Sequence, residues 1–256
     1  MLTRERQDKI VQIVNEQGAV SVADLVTSLA VSEATIRRDL NTLHKAGRIE
    51  KVFGGATSVT GDISSHEYNI SEKSQKNMAE KEQIATYAAS TITDEDFVFL
   101  DSGTTTYQMI PHITARQAIF VTNGIMHAKR LMESGFQTYV VGGRLRPQTE
   151  AIVGPEAVES IRKYHFTKAF MGTNGITVKS GYTTPDVDEA MLKRAAIQSA
   201  YFSYILADAS KFGLVSTVEF ASFESCCVIT NHVPKTFRSY TESTIVKELD
   251  GKEPNT

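Results

Sequence analysis

Over its first 47 residues the chain carries three short blocks in which apolar side chains recur at helical spacing, each fenced by residues that start or stop helices. Ile10, Ile13 and Val14 recur over Thr3 to Gln17, and Gly18 follows where a left-handed cap residue is favoured. Ser21 opens a second block with Leu25 and Leu29 on one face, and Asp24 is spaced to complete its cap. Ser32 opens a third block, in which Ile36, Leu40 and Leu43 fall at i, i+4 and i+7 before Gly47 ends it. The period then changes. Ile49, Val52 and Phe53 suit a short strand, and Gly54-Gly55 suits a hairpin turn. Three short helices followed by a hairpin within residues 1–57 predict a winged helix-turn-helix.

The third helix has two chemically different sides. Ile36, Leu40 and Leu43 form the core side, and Glu33, Ala34, Arg37, Arg38 and Asn41 lie opposite. Ser32 and Thr35 stand at the positively polarised N-terminus, where a phosphate oxygen can be held. A helix that enters the major groove needs this division, and arginine can pair bidentately with guanine. Arg37 is the expected base reader. Arg38, Lys45, Arg48 and Lys51 are expected to fix register on the phosphate backbone. Double-stranded operator DNA is thus the expected partner. One winged helix reads only a few base pairs, so a homo-oligomer, a dimer or tetramer, is expected to engage repeated half-sites.

Residues 58–73 are polar and aperiodic and read as a linker. From 74 to 250 the chain alternates strand and helix. Predicted strands are Phe97 to Leu100, Ile119 to Thr122, Thr138 to Val141, Ala169 to Met171, Tyr204 to Ala207 and Cys227 to Thr230, with helices at Ile125 to Ser134 and Asp186 to Ala200. The fold class is α/β, a largely parallel sheet with covering helices behind the winged module. Such sheets bind ligands at the carboxyl ends of their strands. Asp101, Ser102, Gly103, Thr104 and Thr105 follow the first strand with hydroxyls and a glycine suited to a phosphate. Thr122 and Asn123, Gly143 and Arg144, and Gly172 and Asn174 follow three other strands and are expected to share that pocket, with Lys193 and Lys211 adding positive charge.

Composition narrows the class further. Of 256 residues, 41% are hydrophobic and 22% charged, and the net charge of -3 argues against indiscriminate coating of nucleic acid. No apolar run approaches the roughly 20 residues that span a bilayer, so no membrane partner is expected. Met1 to Lys9 has no apolar core of the signal-peptide kind, and Cys226 and Cys227 suit a reducing compartment, so a cytoplasmic protein is expected. His44, His66, His112, His127, His165 and His232 are scattered without metal-ligand spacing, and neither a metal nor a cofactor is expected.

The run Ser32-Glu33-Ala34-Thr35-Ile36-Arg37-Arg38-Asp39-Leu40, with Arg6, Ile10 and Val14 upstream, closely resembles the DeoR family of bacterial transcriptional regulators. Asp101 to Thr105, Val121 to Gly124, Gly172 to Ile176 and Ala207 to Phe212 resemble the effector domain of the same family. That family's wing usually ends in His-Gly-Gly-Ala, where this chain has Phe53-Gly54-Gly55-Ala56. The resemblance implies an effector domain similar in fold to ribose-5-phosphate isomerase, a phosphorylated sugar as effector, and repression of a sugar operon. Fructose 1-phosphate is the first candidate. The alternative is an isomerase-like enzyme with an appended DNA-binding domain. Against it, the isomerase's Asp-Gly-Ala-Asp-Glu run is replaced here by Met171-Gly172-Thr173-Asn174-Gly175, which removes the acid-base pair. An adaptor that binds protein through its winged helix is a third reading.

Overall fold

Ile10, Val14, Leu25, Ile36, Leu40 and Leu43, spaced helically in the sequence, meet in one buried cluster. They belong to the first of two compact units, residues 1–62 and 63–256. The structure is a computed structural model of the chain. It describes residues 3–17, 19–57, 63–64, 69–234, 237–238 and 244–249.

The first unit runs α1 (Thr3–Gln17), β1 (Ala19–Ser21), α2 (Val22–Leu29), α3 (Glu33–Lys45), β2 (Glu50–Val52) and β3 (Gly55–Thr57). Both serines expected to cap helices do so. The Ser21 hydroxyl accepts from the Asp24 amide at 3.1 Å, and the Ser32 hydroxyl from the Thr35 amide at 3.3 Å. Gly18, read as a cap of the first helix, lies outside the described residues. The hairpin is part of a three-stranded sheet, because β1 pairs antiparallel with β3 in the order β1-β3-β2. The sequence did not reveal β1, whose three residues are too few to show a period.

Gly54 turns the hairpin at φ +83°, a conformation that favours glycine. Gly55 has a different reason to be glycine: a Cβ there would drive into the Val20 carbonyl oxygen of the neighbouring strand. Gly55→Ala is therefore expected to cost about 1 to 3 kcal/mol by overpacking. Differential scanning calorimetry should show this as a lower melting midpoint for the first unit.

The second unit begins with β4 (Ile63–Ser64), α4 (Ile70–Gln75), α5 (Met78–Ser90), β5 (Phe97–Leu100), α6 (Thr104–Met109), β6 (Ile119–Thr122), α7 (Ile125–Glu133) and β7 (Gln137–Val140). It continues through β8 (Arg144–Arg146), β9 (Ala151–Val153), α8 (Pro155–Arg162), β10 (Phe166–Gly172), β11 (Gly175–Thr177), β12 (Gly181–Thr184) and α9 (Val187–Gln198). Five strands follow: β13 (Ala200–Leu206), β14 (Val215–Ser216), β15 (Val218–Ala221), β16 (Cys227–Thr230) and β17 (Val246–Glu248). The linker reading for 58–73 needs correction at its end. α4 starts at residue 70 under a reciprocal cap, in which Asn69 and Glu72 each bond the other's backbone.

Seven strands form one parallel sheet in the order β17-β16-β13-β10-β5-β6-β7. Alternation along the strands fills both faces. Val98, Leu100, Phe120, Phe170 and Leu206 join Ile84, Ala85 and Ala88 of α5 on one side. Phe99, Val121, Ala169, Met171 and Ile205 join Val158, Ile161 and Leu192 of α8 and α9 on the other. From β5 the chain adds strands outward through β6 to β7, then returns to lay β10 on the opposite edge of β5 and builds the other way. The order reverses between β5 and β10, which is where a sheet of this kind opens a ligand crevice at its carboxyl ends.

Candidate functional site

In the first unit, α3 buries Ile36, Asp39, Leu40 and Leu43 and leaves Ser32, Glu33, Arg37, Arg38, Asn41 and Lys45 exposed, with Thr35 partly so. Asp39 explains how the helix is fastened: its carboxylate accepts from Arg6 at 2.6 Å and Gln7 at 3.1 Å, both on α1. Several of the exposed groups hold one another. Arg37 pairs with Glu33 at 2.6 Å, Lys51 donates to the Asn41 side chain at 2.7 Å, and Arg48 pairs with Asp8 at 2.9 Å. Pairs this exposed contribute about 0 to 1 kcal/mol, so a phosphate or base can displace them at little cost. Arg38 has no ion-pair partner among the described residues. Phe53 stands fully in solvent at the tip of the wing.

In the second unit, a cavity of about 280 Å³ opens at the reversal between β5 and β10. That lies just under the range of about 300 to 1,000 Å³ typical of small-molecule sites. Asp101, Ser102, Gly103, Thr104 and Thr105 line it from the loop after β5, and Gly172, Thr173 and Asn174 from the loop after β10. Lys193 reaches in from α9 and pairs with the Asp101 carboxylate, both side chains being almost wholly buried. It also donates to the Gly172 carbonyl at 3.1 Å, and Asp101 accepts the Gly172 amide at 3.1 Å. One ion pair therefore fixes the two loops to each other.

The loop after β5 is also held from behind. The Thr106 hydroxyl donates to the Asp101 and Gly103 carbonyls at 2.6 and 2.7 Å, and His127 Nε2 lies 3.0 Å from the Gly103 oxygen. Burial pushes the His127 imidazole down to about 4, so it stays neutral and donates to that oxygen.

Four expected residues lie outside the cavity. Thr122 is fully buried and spends its hydroxyl on the Leu100 carbonyl at 2.7 Å, inside the sheet. Asn123 sits behind the wall: its side-chain oxygen accepts the Ser102 amide at 3.0 Å and so positions the loop that does line the cavity. Gly143 and Arg144 are carried away by the pairing of β8 with β9, and Arg144 is exposed in an ion pair with Asp188 at 2.7 Å. The same excursion delivers a residue the sequence did not mark, Thr149, whose hydroxyl meets Glu189 at 2.7 Å at the cavity wall.

The larger omission was a cationic wall. Lys73, Lys76, Asn77 and Lys81 line the cavity from α4 and α5, opposite Asp208, Ser210 and the expected Lys211. Lys81 is buried, and its ammonium bonds the Lys73 carbonyl. Burial pushes its pKa down to about 8; Asp208 opposes the shift, and Lys211 and Lys73 reinforce it. A signal for Lys81 was present: it occupies the core register of α5 with Ile84, Ala85 and Ala88, an unusual place for a lysine. Five lysines and three carboxylates (Asp101, Glu189, Asp208) line the cavity, an excess of two positive charges that matches a phosphate monoester dianion. The hydroxyls and carboxylates around it suit a polyhydroxy body.

A model of the DeoR-like helix-turn-helix domain matches residues 6–61, and a model of the DeoR C terminal sensor domain matches residues 76–232. The chain is 41% identical to a Bacillus subtilis protein named uncharacterized HTH-type transcriptional regulator FruR, over 96% of this chain and 98% of that one. It is 31% identical to a Staphylococcus aureus lactose phosphotransferase system repressor, over 98% of this chain and all of the other. Among solved structures, ribose 5-phosphate isomerase of Methanocaldococcus jannaschii is similar with a TM-score of 0.41 at 14% identity, covering 54% of this chain and 55% of that one. A likeness so distant says nothing of the site. The relatives matched along their whole length are regulators and not enzymes, so the isomerase alternative is set aside, and the chain belongs to the DeoR family of transcriptional regulators.

Proposed function

We propose that the protein represses an operon for the uptake or catabolism of a sugar, fructose or a related hexose, and that a phosphorylated sugar in the cavity releases it from DNA. The observation that carries this reading is the cavity at the β5/β10 reversal, with its excess of positive charge and its lining of hydroxyls and carboxylates, on a chain that also carries a winged helix. The names of the relatives, FruR and a lactose phosphotransferase system repressor, support a sugar operon. Fructose 1-phosphate is the first effector to test. Arg37 is assigned to a base, and Ser32, Thr35, Arg38, Lys45, Arg48 and Lys51 to phosphates. The protein acts in the cytoplasm as a homo-oligomer, which supplies the second half-site. Release requires the sugar to bind the low-affinity conformation more tightly than the operator-bound one. Calorimetric titration with a panel of hexose and pentose phosphates tests the cavity. Binding of one of them at micromolar concentration supports the reading, and no binding at millimolar concentration contradicts it.

Titration in pH adds a prediction. A phosphate near Lys81 raises that ammonium's pKa from about 8 toward its ordinary value, so binding takes up a proton whenever Lys81 starts neutral. Affinity is expected to hold up to about pH 8 and then to fall by up to about tenfold per unit until the pKa of the bound state is passed. Lys81→Gln should bind more weakly at neutral pH and lose this alkaline decline.

A further inference from the structure

The segment that follows residues 1–62 runs beside the cavity and then becomes part of its wall. β4 pairs in parallel with β14, directly after Lys211 and Leu214 of the cavity wall. α4 then supplies Ile70, Lys73 and, just past its end, Lys76 and Asn77 to the wall itself. Yet α4 buries no side chain of its own. It is held by a backbone bond from Ile70 to the Gln148 carbonyl at 3.2 Å and by the Lys81 ammonium on its Lys73 carbonyl. Its joint to α5 is two residues, Lys76 and Asn77, the second in the left-handed conformation at φ +51°. The Asn77 side chain donates to Asp208 at 2.9 Å and to Ser210 at 3.2 Å, across the cavity mouth.

We propose that α4 is a ligand-sensing flap: Lys73 and Lys76 bind the anionic group of the effector, and Asn77 is the hinge on which the flap settles. This rests on the phosphosugar reading and adds to it the place where binding becomes a signal. A phosphate draws on the same Lys81 ammonium that tethers α4, so the tether and the ligand are coupled through one charged group. The effector thereby resets the order of the chain segment that joins the two units, with no need for a rearrangement of the sheet.

The test uses the full-length protein with fructose 1-phosphate, fructose 6-phosphate, glucose 6-phosphate and inorganic phosphate. Calorimetry reads binding, and hydrogen exchange reads the backbone of residues 69–77. A compound that binds is expected to slow exchange in 69–77 by about tenfold or more, the scale of one or two charge-assisted hydrogen bonds. The double variant Lys73→Ala/Lys76→Ala is expected to bind about tenfold or more weakly and to lose that protection, while Lys73→Arg keeps both. A thermal melt of the double variant beside the parent separates lost binding from lost folding. Binding with unchanged exchange in 69–77, or parental affinity in the double variant, overturns the flap alone. Failure of every compound to bind overturns the phosphosugar reading and the flap with it.

Discussion

Replacing Lys193 by methionine is expected to destabilise the second unit by about 3 to 5 kcal/mol, because it leaves the Asp101 carboxylate buried without its partner. The side chains of the pair are 6% and 3% exposed, so water cannot take over the lost charge. The loss should also reach the ligand site, since Lys193 and Asp101 tie the loop after β5 to the loop after β10 through Gly172. Asp101→Asn/Lys193→Met distinguishes the two effects. With both charges gone the burial penalty disappears, and most of the stability is expected to return. Sugar-phosphate binding should not return, because the cavity has lost a cation and a hydroxyl-binding carboxylate. Chemical denaturation and calorimetric titration of the two variants check this. Equal stability of the single variant and the parent would contradict the assignment of this pair as the clamp of the site.

The second large effect is expected at Arg37. A bidentate arginine-guanine contact contributes about 1 to 3 kcal/mol of discrimination, so Arg37→Ala should weaken operator binding by roughly 5- to 150-fold per half-site and relax preference at one base position. The fold should be unaffected, because the pair Arg37 makes with Glu33 is more than half exposed on both sides. Arg38→Ala is expected to behave differently, weakening all sequences about equally and lowering the salt slope by about one. Competition binding against permuted operator fragments, repeated at several salt concentrations, separates the two behaviours. If Arg37→Ala weakens every sequence alike, Arg37 is a phosphate contact and the base reader lies elsewhere on α3.

How far the sequence reached follows from which elements have a period. Helices α1 to α3 were legible because their apolar residues repeat and Ser21 and Ser32 mark the starts. The central strands were legible as apolar runs, since they are buried on both faces. β1, β8, β9 and β11 have three residues each, too few for any pattern, and they were missed. The excursion that β8 and β9 build is what removed Gly143 and Arg144 from the cavity and brought in Thr149. Strand-end loops with small polar residues were correctly placed at one edge of the sheet, but that edge is wide. The loops after β5, β10 and β13 line the cavity while Thr122, Asn123 and Gly143 after β6 and β7 do not, and strand order is not written in any local motif. Asn77 and Asp208 meet across 131 positions of sequence, so no spacing argument could have joined them. Lys81 is the instructive case. Its register on an alanine-rich helix face is visible without a structure, and a lysine in a core position marks a buried site.

The account's central claim is that one chain couples sugar-phosphate occupancy to operator affinity. The most direct measurement is a titration of the full-length protein onto promoter DNA from its own locus, with bulk DNA as competitor, repeated with each sugar phosphate. The account predicts salt-sensitive, sequence-preferring binding that one sugar phosphate weakens by about tenfold or more, the scale of ordinary allosteric coupling. Operator affinity that stays constant across the whole panel, while one of those compounds demonstrably occupies the cavity, would contradict it.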